Sequence, residues 1–132
     1  MPLLLTLSSG VKGFTTIHAG SARQALTRLR FVCQLGDTGS QLPFSALNTL
    51  VSEAIDLVVH SERGPDGPRV TSIVAVEDLI GAADATQFTV TEIFARDSTQ
   101  GTLAWTGNVP SRLAAAFRHA GSDVRQYLED AR

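Results

Sequence analysis

The chain has 132 residues, of which 43% are hydrophobic and 18% charged, with a formal net charge of −2. This balance suits one globular domain with a modest core and excludes a disordered chain or a broad basic surface for nucleic acid. The single cysteine, Cys33, excludes an internal disulfide, and the apolar opening Leu3–Leu7 is too short to span a membrane, so a soluble, cytoplasmic protein is expected.

In chain order, Leu3–Leu7 reads as a strand or as the turns of a helix, and Gly10 and Gly13 bracket a turn. Phe14–Ile17 is short, apolar and β-branched, which predicts a buried strand running into His18. Ser21 with Gln24 three residues later has the pattern of a capping box. Ala22, Ala25, Leu26, Leu29, Val32 and Cys33 follow at helical spacing, and that helix should stop near Gly36. Arg28 and Arg30 read as solvated surface.

"DTGSQLP" is a loop, and Pro43 suits the first turn of a second helix with Phe44, Leu47, Leu50, Val51 and Ala54 on its buried face. Ile55–Ser61 reads as a strand, and Arg63–Pro68 as a turn built on Pro and Asp-Gly. Val70–Val76, Phe88–Phe94 and Leu103–Thr106 are three more predicted strands. Two helices should follow, Ser111–His119 capped by Asn108 and ending at Gly121, then Asp123–Ala131 capped by Ser122. The expected architecture is α/β at the start and α+β toward the C-terminus: one buried strand plus helices, then a β-meander and terminal helices.

His18 stands where a strand exit meets a helix N-terminus. Such ends of α/β sheets gather ligands and free amides, so His18 reads either as a group facing an anion, with Thr15 or Thr16 nearby, or as a histidine bonded to a neighbouring loop. Arg23 in the first helical turn opposes the helix dipole, which points to a carboxylate or phosphate partner or to a solvated side chain. Val70–Leu79 imitates a Walker B strand ending in Glu77 and Asp78, but no phosphate loop accompanies it and it reads as a structural strand. His18, His60, His119 and Cys33 show no metal-ligand spacing. His60 should face a partner or solvent, and Trp105 should pack near the terminal helices.

At "SSGVKGFTTIHAGSARQALTRL" the chain resembles the type II/IV secretion ATPase family, in the branch that powers Flp/Tad pilus assembly. The residues that carry the likeness are Gly10, Gly13, Thr15–Ala19, Ser21, Arg23, Ala25, Leu26, Arg28 and Leu29. It continues through "AIDLVVH", "PDGPRVTSIVAVEDL", "FTVTEIFARD" and "GTLAWTGNVPSRLAAAF". The resemblance implies the C-terminal portion of a RecA-like P-loop ATPase domain, with His18 near the terminal phosphate and Thr16 and Arg23 beside it. Val11 and Gly20 depart from the family pattern, and the family's phosphate loop, Asp box and Walker B are missing.

The resemblance further implies ATP and Mg²⁺ in the complete enzyme, a hexameric ring, and a place at the cytoplasmic face of the membrane beside secretion or pilus platform proteins. A chain of this kind is expected to be a partial motor domain, whether a fragment, a displaced start or a gene remnant. It should neither bind nucleotide tightly nor turn it over alone. It should self-associate through Leu3–Leu7 and the Phe14–Ile17 edge. The alternative is a non-enzymatic interaction module built from the same fold.

Overall fold

The computed structural model describes residues 1–36, 41–78, 87–97 and 101–131, and the chain forms two compact units. Part of the expected "DTGSQLP" loop and Leu79 lie outside the described residues.

The first unit comprises 1–56 and 78–89. Its helices are α1 (Pro2–Ser8), α2 (Ala22–Leu35) and α3 (Phe44–Ala54). The apolar opening is therefore helical, with Leu4 buried while Leu3 and Leu5 stay exposed. Helix α2 begins as its capping pattern predicts. The hydroxyl of Ser21, on extended backbone, accepts from the Gln24 amide at 3.1 Å. It ends at Gly36. Helix α3 starts one residue after Pro43, which stands at the cap itself. Both α1 and α2 pack on α3. The core is Leu4, Ala22, Ala25, Leu26, Cys33, Leu47, Val51, Ala54 and Phe88. Each buried leucine contributes about 2 kcal/mol relative to exposure.

Phe14–Ile17 is not a strand. Residues 11–19 have no regular secondary structure, and Phe14 is fully exposed. Apolar, β-branched residues fit a pleated surface, but a strand exists only where a neighbour completes its hydrogen-bond ladder. The strands among the described residues pair only with one another, and none borders this segment. The expected α/β opening is thus a helical one.

The second unit comprises 57–77 and 90–132. Strands β1 (Leu57–Gly64), β2 (Gly67–Val76), β3 (Val90–Arg96) and β4 (Leu103–Trp105) form one antiparallel sheet in that order, the expected meander. The β1–β2 turn follows its sequence chemistry. Pro65 and Asp66 fill the two corner positions, and Gly67 takes φ +116°, open to glycine and strained for other residues. One face of the sheet carries a core of Ala75, Ile93, Val124 and Leu128, joined by Ile73, Phe94, Trp105, Leu113 and Phe117. The chain as a whole is mixed α and β, with five helices and a four-stranded antiparallel sheet among the described residues.

Helices α4 (Ser111–His119) and α5 (Val124–Asp130) cover that core. Neither expected cap serves. Asn108 instead donates to the Glu92 carbonyl at 3.2 Å, and Pro110 occupies the cap position of α4 without a side-chain bond. Asp123, not Ser122, caps α5 by accepting from the Arg125 amide at 2.9 Å. At the end of α4 the Ser122 amide donates to the Phe117 carbonyl at 2.8 Å and the Gly121 amide to that of Arg118 at 3.0 Å. Gly121 holds φ +79° to close that turn.

The missing cap of α4 comes from Glu77, one residue beyond β2. Its Oε1 accepts from the Ser111 amide and its Oε2 from the Arg112 amide, each at 2.9 Å, while Thr91 Oγ1 donates to Oε1 at 2.8 Å. Glu77 is buried, so each bond replaces water that the carboxylate has lost. This run is a structural strand ending in a remote helix cap. Glu77→Ala should lower unfolding stability by about 3 kcal/mol, since charge-assisted bonds are worth about 1.5–3 kcal/mol each and two helix amides lose their partner. Urea denaturation of the two proteins measures this; an unchanged midpoint would show that α4 needs no such cap.

Candidate functional site

The turn from His18 into α2 lies at one end of an open groove of about 980 Å³. His18, Ser21, Arg23, Gln24 and Arg28 line that end, Gln87 and Phe88 form a wall, and Phe31, Val32 and Leu35 line the far end. Among the described residues no carboxylate lines the groove. The groove therefore has a cationic end, at the N-terminal half of α2, and an apolar end.

His18 is exposed and makes no hydrogen bond or ion pair among the described residues. Thr16, two residues earlier, is exposed and is not among the groove's lining residues. Arg23 does have a partner, but it is a main-chain carbonyl: Nη1 donates to Phe88 O at 3.0 Å. That bond crosses 65 positions of sequence, so neither spacing nor local pattern signals it. His18 and Arg23 thus share the groove, with Thr16 outside it.

Sequence reasoning missed Arg30. It reads as solvated surface, yet it is only 8% exposed. Its guanidinium lies 5.4 Å from the Phe44 ring centre and 5.6 Å from that of Phe88, and its Nη1 donates to Asn48 Oδ1 at 2.8 Å. A guanidinium tolerates burial because its flat faces stack on aromatic rings while its edge donates hydrogen bonds. The signal was available: Arg30 follows buried Leu26 by four residues and precedes buried Cys33 by three, on the apolar stripe itself.

The other histidines take no part. His60 does not face solvent; its side chain is 12% exposed. A bulge after His60 makes Thr71 the extra residue on β2, which brings the Thr71 hydroxyl to 2.9 Å from Nδ1 of His60. Glu62 stands 3.8 Å away. His119 is exposed in the last turn of α4, where a cation suits the helix dipole. Trp105 packs against the terminal helices as expected and donates from its indole to the Asn108 carbonyl at 2.9 Å. Among the described residues no cluster of three or more His, Cys, Asp or Glu could hold a metal ion, and no helix is long and apolar enough to cross a membrane.

No family model matches the chain. It is similar to proteins named for type IV secretion and conjugal transfer. It is 42% identical over 65 residues to a probable conjugal transfer protein TrbB of Sinorhizobium fredii, covering 49% of this chain and 18% of that one. It is 45% identical over 51 residues to the type IV secretion system protein PtlH of Bordetella pertussis, covering 39% of this chain and 15% of that one. A conjugal transfer protein TrbB of Rhizobium radiobacter is 38% identical over 65 residues. The chain spans less than a fifth of the length of these curated relatives.

Ser21 caps the start of α2 by accepting from the Gln24 amide at 3.1 Å. Ser21→Ala should cost about 1 kcal/mol of stability. Thermal or urea unfolding checks the loss, and no change would mean that the helix start is held by packing alone.

Proposed function

We propose that the chain is the C-terminal part of a secretion or pilus-assembly motor ATPase, related to the Flp/Tad branch, with the His18 turn facing the nucleotide phosphates. One observation carries this reading: the exposed imidazole of His18 shares a groove with Arg23 and Arg28 at the start of a capped helix, with no carboxylate among the described lining residues. Cations and helix amides at such a place favour a phosphate anion. The similarity to TrbB and PtlH supports the secretion assignment.

The described lining residues fit a phosphate anion but offer no carboxylate oxygens for Mg²⁺, which prefers a hard-oxygen octahedron. In this reading ATP and Mg²⁺ belong to the complete enzyme, whose other residues supply the phosphate loop and metal site. The complete enzyme would work as a hexameric ring at the cytoplasmic face of the membrane, against secretion or pilus platform proteins. Within it His18 would meet charge that develops on the terminal phosphate, with Thr16 on the approach and Arg23 at the cationic end.

A residue that senses developing charge acts on the chemical step more than on binding. In a full-length motor carrying this segment, His18→Ala should lower kcat by about tenfold or more while KM moves less than about threefold. Steady-state phosphate release measures both. A normal kcat with a raised KM would remove the sensing role, and no change in either would leave His18 without one.

The exposed apolar side chains Leu3, Leu5 and Phe14 favour self-association of this chain as a second reading. With no strand at 14–17, the contact would be side-chain packing rather than edge pairing. Sedimentation velocity over a concentration series should show a dimer forming, and Phe14→Ser together with Leu5→Ser should weaken it. A single monomeric species at all concentrations would count against it.

A further inference from the structure

Arg23 and Arg30 stand seven residues apart on α2, two turns along nearly one face. Each grips a different part of Phe88. Arg23 Nη1 donates to its carbonyl at 3.0 Å, and the Arg30 guanidinium lies 5.6 Å from the centre of its ring. Arg30 is itself anchored in α3, stacked on Phe44 and bonded to Asn48, which is buried. Phe88 is 3% exposed and forms, with Gln87, one wall of the groove that begins at His18. A carbonyl held by one charged donor and a ring held by a second cation leave that wall little freedom at either end.

We propose that Arg23 is a positioning residue. It pins the Phe88 carbonyl and, with Arg30 under the ring, fixes the Gln87–Phe88 wall so that the groove stays open for an anion to reach His18. The last clause rests on the phosphate-facing reading of the groove; the pinning of the wall does not. A cation here serves the site through the wall it holds. The Arg23 side chain lies exposed on α2, so its truncation opens no buried cavity.

The test uses the 132-residue chain and four variants: Arg23→Ala, Arg23→Lys, Phe88→Leu and the Arg23→Ala/Phe88→Leu double. Backbone ¹⁵N relaxation is measured by NMR, and sodium pyrophosphate is titrated as the anion probe with the His18 imidazole resonances as readout. In Arg23→Ala the order parameters of Phe88 and Thr89 should fall from about 0.85 to below about 0.6, while those of Leu26 and Leu47 keep the wild-type value. Lysine, which can still donate to the carbonyl, should restore most of the rigidity. Pyrophosphate should bind Arg23→Ala about fivefold more weakly, and the double variant no more weakly than the worse single one, because both remove the same wall.

Unchanged order parameters at Phe88 and Thr89 in Arg23→Ala overturn the pinning. Additive losses of pyrophosphate affinity in the double variant overturn the positioning role and make Arg23 a direct anion contact. Pyrophosphate that leaves the wild-type His18 resonances unmoved overturns the phosphate-facing reading, while the relaxation comparison still decides the pinning.

Discussion

The sheet unit turns on where one buried carboxylate finds its hydrogen bonds. Glu77 follows the last residue of β2 and has lost its water. Its oxygens are satisfied by two amides at the start of α4 and by the hydroxyl of Thr91 on β3. Helix α4 has a proline where a capping side chain would stand, so its first amides have no local partner. Each need answers the other. Once α4 starts at this point, Leu113 and Phe117 are brought to Ile73, Phe94 and Trp105, and α5 completes the cover with Val124 and Leu128. The glycine turn at Gly121 lets the second helix follow after a short connection.

In the helical unit a charge is again taken from water and held by several partners. Arg30 lies between two aromatic rings and bonds to Asn48. A buried cation is a poor source of net stability, because desolvation offsets much of what its contacts return. Its geometric effect is plainer: the guanidinium meets Phe44, Asn48 and Phe88 in one arrangement. The same helix presents Arg23 to the Phe88 carbonyl, so two arginines of α2 define one wall of the groove.

An acidic residue at the end of an apolar strand is open to two uses, and the difference is physical. In a nucleotide site such a carboxylate keeps free oxygens for a hydrated metal ion. Here both oxygens of Glu77 are spent on amides and a hydroxyl of its own unit. The groove at His18 has the opposite character, with cationic side chains and an exposed imidazole.

Elements governed by contacts near in sequence were legible in the sequence. The Ser21 cap, the end of α2 at Gly36, the Pro-Asp-Gly turn, the meander and the span of α4 all follow from local chemistry: a hydroxyl three residues from an amide, a ring that presets φ, a residue without Cβ. His18 and Arg23 could be singled out for the same reason, by their place at a helix start. What lay beyond local reach was decided by partners distant along the chain. Phe14–Ile17 has the composition of a strand but no neighbouring ladder, so it is not one. The cap of α4 came from Glu77, which lies 34 positions before Ser111, and that of α5 from Asp123 rather than Ser122. His60 was drawn to Thr71 by a bulge, Arg23 found a carbonyl 65 positions away, and Arg30 was buried by rings from two other segments. Local pattern sets what a side chain can do; the fold decides which partner reaches it first, because a hydrogen bond or a stacked ring acts only at contact.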